Sequence, residues 1–336
     1  MDVTTVADDL VVMHDGVSVA RFGDLAPSTT YTFDGVEVTT LPRPGGELLC
    51  RFATVNDVHF GEVVAGRVGD SAQGPIQQAR PGEPPYPEVM NRGAVDEIGA
   101  IDPIAVVVKG DLTNDGRPDE FGAFEASYRG RFGDRLHVVR GNHDAYKGQT
   151  LYAGDHWIEL PGVAVALVDT VIPEQTTGTI TTEQIEWLDT LAAESDRPVL
   201  VMGHHQQWIP GDDNGGHRSE GYFGLHPDAS DALDAVAARR PSILAYTAGH
   251  THRHRIRRMV SGVPSIEIGC VKDFPGTWAE YRVHEGGVQQ VVHRISSPDA
   301  LDWSERCRHL YADFGVDYES YALGSLEDRC CNIPQR

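Results

Sequence analysis

Histidines and carboxylates recur together in a few short stretches of this chain. The stretch GHTH, Gly249 to His252, has two imidazoles at positions i and i+2, which point to the same side on an extended backbone. Two such groups in one small volume are suited to metal binding or to contact with a phosphate group. For this stretch alone, a polar loop that happens to be rich in histidine is the alternative.

Five predicted strands end in residues of this kind. The strand sequences FATV, AVVVKG, LHVVRG, VLVMG and LAYTAG run directly into them. In an α/β sheet the carboxyl ends of neighbouring strands open onto a common crevice, so we expect the five groups to converge. Singly, each residue could instead be a helix cap or a loop residue. The candidates are Asp57, His59, Asp111, Asn142, His143, Asp144, His204, His205, His250 and His252.

The elements that position these residues alternate between strands and amphipathic helices. After Leu48, apolar strands are separated by helices predicted around 88–98, 118–128, 182–193 and 227–238. This alternation predicts an α/β fold, because such apolar strands must be covered by helices. Four later strands follow without helices between them, which predicts a second, mixed or antiparallel sheet.

We divide the chain into three parts. Residues 1–46 contain turn pairs at Asp15-Gly16 and Asp34-Gly35 and predict a small, partly fibronectin-like β appendage. Residues 47–297 are expected to form the catalytic domain and residues 298–336 a helical C-terminal extension. One connection, Gly61 to Pro87, is longer than most loops in compact domains and is either a lid or a disordered insertion.

The charge of the chain excludes some partners. It has 28 basic and 50 acidic residues, a net charge of 28 − 50 = −22. Such a field repels nucleic acids and anionic membranes, and no apolar run approaches the length of a membrane span. The N-terminus has no features of a signal peptide, and the five cysteines do not form a disulfide pattern, so we expect a cytoplasmic protein.

The order D-x-H, G-D, G-N-H-D, G-H and G-H-x-H, across residues 50–253, resembles the calcineurin-like metallophosphoesterases. Each motif alone is weak, but all of them together in this order are specific. The resemblance implies a four-layer αββα sandwich of two mixed sheets flanked by helices, with a two-metal centre at one edge.

The resemblance also implies roles for individual residues. The ligands of a first metal would be Asp57, His59 and His252, and those of a second would be Asn142, His204 and His250. Asp111 would bridge the two ions. His143 would contact the substrate phosphate and protonate the leaving group, with Asp144 orienting it. His205, an additional histidine, is expected to lie behind the ligands or to contact substrate.

The residue types fit this chemistry independently of the resemblance. Nitrogen and oxygen ligands without a thiolate suit manganese, iron or zinc. Two such ions about 3.5–4 Å apart share a hydroxide that attacks phosphorus in line, and they stabilise both the attacking and the leaving oxygen. Two bound cations also explain how so acidic a protein accepts an anionic substrate.

A further segment is similar to one branch of the family. Asp169, Gly178, Gln184 and Trp187-Leu188 match the D-T…G…Q…W-L segment of bacterial class III cyclic-nucleotide phosphodiesterases and glycerophosphodiesterases. The sequence GHHQQW departs from relatives that have prolines after the second histidine, so the resemblance does not determine the shape of the pocket. Weaker candidates for substrate contact are His217, Arg218 and Tyr222.

Three functions are compatible with these observations. The first is a metal-dependent phosphodiesterase of a small molecule, with no nucleic-acid or membrane partner. The second is a phosphomonoesterase acting on a nucleotide or a protein, and the third is a scaffold without catalytic activity. The C-terminal helix and the long loop are candidate contacts of a homodimer.

Overall fold

The computed structural model describes residues 1–211, 218 and 222–336. Its N-terminal part contains two small antiparallel units. The first is a three-stranded sheet of β1 (Asp2–Val6), β2 (Val11–Asp15) and β3 (Ser18–Phe22), and the second is a hairpin of β4 (Thr30–Phe33) and β5 (Val36–Thr39). The second hairpin turns at Asp34-Gly35 as predicted. The first turns at Gly16 and Val17, because Asp15 still pairs with Ser18.

The remaining strands form two six-stranded sheets. One has the order β17-β16-β15-β6-β7-β8 and the other β13-β14-β12-β11-β10-β9. Their bounds are β6 (Leu48–Val55), β7 (Val106–Lys109), β8 (Leu136–Val139), β9 (His156–Leu160), β10 (Val163–Leu167), β11 (Val199–Met202), β12 (Ile243–Ala248), β13 (Arg255–Arg258), β14 (Pro264–Glu267), β15 (Thr277–His284), β16 (Gly287–Arg294) and β17 (Cys331–Pro334).

Helices cover the outer faces of both sheets. They are α1 (Tyr86–Ala100), α2 (Pro118–Phe124), α3 (Gly130–Phe132), α4 (Thr182–Glu194), α5 (Pro227–Arg239), α6 (Pro298–Arg306), α7 (Tyr318–Leu323) and α8 (Leu326–Arg329). A π-helical segment, Glu125–Arg129, joins α2 to α3, and short 3₁₀ turns occupy Gly133–Arg135, His143–Ala145 and Ala312–Phe314.

Both sheets are mixed. The strands β6, β7 and β8 run parallel, as do β10, β11, β12 and β14, whereas β15, β16 and β17 pair antiparallel. The four-layer fold predicted from the family resemblance is therefore confirmed. The four strands that follow β12 do not form a sheet of their own. Two of them extend the sheet of β12, and two continue the sheet of β6.

The alternation of side chains along the strands produces three apolar layers. On β7, Val106 and Val108 face the layer beneath α1, whereas Val107 faces the other sheet. On β10, Ala164 and Ala166 face α4 and α5, and Val165 faces inward. Because every one of these side chains is fully buried, a shift of one residue in either strand would place it against the wrong layer.

The C-terminal extension is not entirely helical. It begins with three short helices, but its last strand, β17, pairs with β16 and places Ile333 in the core between the sheets. The long loop ends at Pro85, and its residues Ala65 and Gln77 form a single bridge. Among the helices of the described residues, none is long and apolar enough to cross a membrane.

Candidate metal centre

The predicted ligands follow five strands whose carboxyl ends meet. Asp57 and Asp111 come after β6 and β7, which are neighbours in one sheet, and Asn142 comes after the next strand, β8. His204 and His250 come after β11 and β12, which are neighbours in the other sheet. The site therefore lies where the carboxyl ends of strands from both sheets face each other.

The backbone turns sharply at most of these residues. The φ angles are positive at Asp57 (53°), His59 (46°), Asp111 (51°), His250 (69°) and His252 (54°). This left-handed conformation costs a residue other than glycine on the order of 1–3 kcal/mol and persists only where the surroundings enforce it. Its concentration at one place is typical of a functional site.

The side chains of these residues converge. Asp111 Oδ2 lies 3.2 Å from His204 Nε2 and 3.5 Å from His59 Nε2, and Asp57 Oδ1 lies 3.5 Å from His252 Nε2. Asp57, His59 and His252 have donor atoms within 4.8 Å of one another, and so do Asp57, Asp111 and His204. Asp111 and Asp57 thus connect two groups of donors.

Several donor atoms are aimed into this space. Asn142 donates its amide to Tyr146 Oη at 2.6 Å, which leaves its carbonyl oxygen 3.0 Å from His204 Nε2. His204 Nδ1 lies 2.8 Å from the Lys109 carbonyl, so in the neutral ring the proton belongs on Nδ1 and Nε2 is the atom that could bind a metal. Among the described residues, the Nε2 atoms of His59 and His250 are buried without a hydrogen-bond partner. These donors fit two divalent or trivalent ions.

Charges in the site are strongly coupled. Burial would raise the pKa of Asp57, but the nearby His252 outweighs it and lowers that pKa to about 2. The pKa of Asp111 is likewise held well below its usual value, chiefly by His204 against the effect of burial. Burial and neighbouring positive charges lower the pKa of His59 to about 4. Against the effect of burial, the nearby Asp111 raises the pKa of His204 to about 9, and Asp57 raises that of His252 to about 10. Metal ions require ionised carboxylates and neutral imidazoles, so these two rings would release a proton when an ion binds.

Asp144 contacts the backbone and not the ring of His143. Its carboxylate accepts from the backbone N–H groups of Leu112 (3.0 Å), Thr113 (2.9 Å) and Gly141 (2.8 Å). The expected orienting contact to His143 is made instead by the carbonyl of Asn114, 2.7 Å from His143 Nδ1. Burial and the charge of Asp111 raise the pKa of Asp144 to about 6. Asp144 therefore joins the turn after β7 to the turn after β8.

The remaining predicted residues have different positions. His205 is fully buried behind the ligands, with Nδ1 2.7 Å from Thr170 Oγ1 and its donor atom within 4.8 Å of those of His204 and His250. Arg218 forms ion pairs with Asp228 and Asp231 and lines a separate cavity. Tyr222 is buried, and His217 lies outside the described residues.

A cavity of about 840 Å³ opens onto the centre. His59, Asp111, Asn142, His143, His250 and His252 line its inner end. Sequence reasoning did not identify several other lining residues, which come from distant parts of the chain and follow no motif. They include Lys272, Phe223, Tyr311, Tyr318 and Tyr321. Tyrosines in an apparent helix gave no signal to distinguish a cavity wall from the core.

The two packed sheets and the donor set at their edge define a class, the binuclear metal-dependent phosphoesterases. The chain belongs to the calcineurin-like phosphoesterase family, whose sequence profile matches residues 50–254. The family resemblance read from the motifs is thereby confirmed.

Two solved structures share the fold. A dimetal phosphatase from Danio rerio superposes with a TM-score of 0.55 at 15% identity, over 86% of this chain and 100% of that one. A purple acid phosphatase from seeds of yellow lupin, Lupinus luteus, gives a TM-score of 0.52 at 14% identity, over 83% of this chain and 60% of that one. At these identities the likeness concerns the fold alone.

One curated relative is a probable cyclic nucleotide phosphodiesterase from a Synechococcus species. It is 26% identical over 157 residues, which are 45% of this chain and 58% of the relative. The match thus spans little more than half of that protein.

Proposed function

We propose that this protein is a binuclear-metal-dependent phosphodiesterase of a small molecule, of the cyclic-nucleotide or glycerophosphodiester type. The observation that carries the proposal is the convergence of seven nitrogen- and oxygen-bearing side chains at one end of a cavity of about 840 Å³. That volume suits a small molecule. The distant similarity to a probable cyclic nucleotide phosphodiesterase supports the choice of a diester.

In the proposed site, the first metal would be bound by Asp57, His59 and His252 and the second by Asn142, His204 and His250, with Asp111 shared between them. Manganese, iron or zinc would supply an activated hydroxide and positive charge at the phosphate. His143 lines the same cavity, and its contact with the Asn114 carbonyl leaves Nε2 as the nitrogen that faces substrate. We assign to it the proton donated to the leaving oxygen.

The net charge of the chain bears on its partners and its location. A net charge of −22 disfavours nucleic acid as substrate, and we retain the expectation of a cytoplasmic protein that acts on a diffusible ester. A homodimer through the C-terminal extension remains part of the proposal.

The test is the turnover of bis(p-nitrophenyl) phosphate and of p-nitrophenyl phosphate by protein loaded with Mn²⁺. We expect a preference for the diester that is lost in Asp111→Asn. A preference for the monoester would favour a phosphomonoesterase. If neither ester is hydrolysed, tight uptake of less than about one ion would support a scaffold, whereas uptake of two ions would support an enzyme with a selective pocket.

A further inference from the structure

The outer part of the cavity has a wall made by two segments that are far apart in sequence. The long loop contributes Val64 and Val68, and the C-terminal extension, which lies beyond the family match, contributes Tyr311, Val316 and Tyr321. These residues share the cavity with the predicted metal ligands, so an ester with a large organic group that is held at the metals can extend along them.

The two segments are fixed against each other. The N–H of Gly74 donates to Asp313 Oδ2 at 2.9 Å, and the N–H of Asp313 donates to the carbonyl of Gly74 at 2.8 Å. Arg306 donates to the carbonyl of Gln78 at 2.6 Å and contacts Glu83 at 3.1 Å. The wall is therefore a built surface with reciprocal hydrogen bonds across it.

The wall presents carbon atoms to the cavity. The hydroxyl of Tyr318 donates to Asp273 at 2.8 Å and that of Tyr321 to the Thr251 carbonyl at 2.9 Å, so both hydroxyls are already engaged within the protein. Three exposed apolar side chains, Val68 (49%), Phe223 (50%) and Val316 (39%), surround the same opening. Clustered exposure of this kind marks a binding surface.

Among the described lining residues, lysine and arginine offer little charge in the interior of the cavity for a second anionic group. The buried Lys272 ammonium lies 2.7 Å from both carboxylate oxygens of Glu62, which neutralise it. Arg67, the other lysine or arginine among the described lining residues, is exposed at the mouth, where solvent screens its charge. An uncharged organic group fits this surface better than a second phosphate or a carboxylate does.

We propose that the wall of Val64, Val68, Tyr311, Val316 and Tyr321 is a subsite for a planar, apolar group esterified to the phosphate, an aryl or nucleoside group in preference to glycerol. Aromatic rings and valines gain contact area and ring stacking from a planar ligand, and a hydroxyl-rich glycerol would lose hydrogen bonds to water there. This inference rests on the proposed function and narrows its substrate class.

The first test is binding without turnover. Phenylphosphonate and methylphosphonate bring the same head group to Mn²⁺-loaded protein and differ in the organic group alone. Isothermal titration should show phenylphosphonate binding about tenfold more tightly, an effect of the size expected of one or two aromatic contacts. Equal affinities, or no binding of either compound, would overturn the subsite.

Matched variants locate the effect. Val68→Asp places a charge in the wall, whereas Val63→Asp places the same charge in the same loop, outside the cavity lining. Both side chains are exposed, 49% and 72%, so neither change threatens folding. We expect Val68→Asp to bring the ratio of the two affinities to within about twofold of unity and Val63→Asp to preserve it. The same ratio in both variants would contradict the proposal.

A second pair of variants examines the C-terminal segment. Tyr311→Ala combined with Val316→Ala should reduce the ratio, and Phe314→Ala, in the same segment but outside the cavity lining, should not. Turnover then separates this proposal from the proposed function. If methyl and phenyl p-nitrophenyl phosphate are hydrolysed with equal kcat/KM, the subsite proposal is wrong and the phosphodiesterase proposal stands. If phenylphosphonate is still preferred but no diester is hydrolysed, the phosphodiesterase proposal is wrong and the subsite proposal stands.

Discussion

Asp273 contacts a predicted metal ligand from behind. Its Oδ2 lies 3.6 Å from His252 Nδ1, while its Oδ1 accepts from Tyr318 Oη at 2.8 Å and from Cys270 Sγ at 3.0 Å. A carboxylate behind a ligating histidine fixes the orientation of the ring and strengthens it as a ligand. Residues of the last fifth of the chain thus support a ligand that belongs to the family motif.

We expect Asp273→Asn to lower the affinity for one of the two expected metal ions by about 10- to 100-fold, because the amide no longer attracts the Nδ1 proton of His252. Competition with a chelator, followed ion by ion, measures this change. Asp299→Asn is the control, because its exposed side chain lies far from the centre on α6. Unchanged affinity for both ions would show that Asp273 has no role in positioning His252.

At this scale the sequence was informative where residues follow strands and belong to motifs. The proximity of Asp57, Asp111, His204 and His250 follows from strand order and from the rule that strand ends meet. Asp273 and Tyr318 could not be predicted in the same way, because only the packing of the extension against the sheet brings them to His252. Their roles and those of the metal ligands remain predictions for the experiments above.

Among the elements, the turn after β8 depends on a glycine. A Cβ on Gly141 would lie 2.2 Å from Asp111 Oδ1 and 2.3 Å from Asp111 N, closer than any real contact. Gly141→Ala should therefore displace the carboxylate expected to contact both metals and lower kcat/KM by about 100-fold or more, as loss of precise positioning does.

The matched control is Gly122→Ala on α2, where a Cβ meets nothing within 4 Å. This change should leave activity intact and stabilise the fold by about 0.5–1 kcal/mol, because alanine favours a helix over glycine. Thermal unfolding and turnover of both variants distinguish a displaced ligand from a general loss of stability. Wild-type activity in Gly141→Ala would contradict the assignment of Asp111.

The N-terminal sheet carries a buried histidine that should make stability depend on pH. His14 lies between Thr4 Oγ1 (2.8 Å) and Ser296 Oγ (3.2 Å). Burial, followed by the charge of Arg294, lowers its pKa to about 4, with Arg308 acting in the same direction and Glu305 and Asp2 against them. The native ring is therefore neutral at pH values where the unfolded chain binds a proton.

The free energy of unfolding should be unaffected by protonation of His14 above pH 6.5. It should fall as the pH is lowered towards about 4, because the unfolded chain then binds a proton that the native ring does not. The loss is at most about 3 kcal/mol, since each pKa unit corresponds to about 1.4 kcal/mol. Urea unfolding of metal-free wild type and His14→Gln at several pH values measures it. Parallel pH profiles for the two proteins would exclude His14 as the cause.

Most helices and strands were predicted because their apolar residues recur at a regular spacing. The strands β7, β10, β11 and β12 are buried on both faces, as is the second half of β6. The helices around 182–193 and 227–238 lie within one residue of their predicted bounds. The strand β17 was missed because it is four residues long and contains a proline, and its pairing with β16 is a tertiary effect.

For the whole molecule, β17 is the outermost strand of its sheet and covers the edge of β16. It pairs with β16 from Gly287 to Gln290, and Ile333 is 1% exposed within the core. Removal of residues 331–336 should lower the melting temperature and expose the edge of β16 to pairing with other chains. Light scattering should then show a mass above that of the full chain. Removal of residues 335–336 alone is the control, and the same mass and stability in both would contradict this role.

The same feature bears on the predicted homodimer. A truncation after Ser297 would remove β17 and also Trp303, which stacks on Tyr86 at 4.0 Å in the core. Loss of a dimer in that truncation could not be separated from loss of the fold. Exposed residues of the extension, such as Phe314, are the appropriate sites at which to test self-association.

The contacts of Asp144 have a consequence for metal supply. Because its carboxylate holds the turns after β7 and β8 through hydrogen bonds to the backbone, we expect these two turns to keep their shape without a bound ion. A chain that acquires the wrong metal should then be as soluble and as protease-resistant as a correct one. Mismetallated molecules would escape the quality control that detects misfolding, and the order in which the cell delivers its metals would decide what fraction of the protein is active.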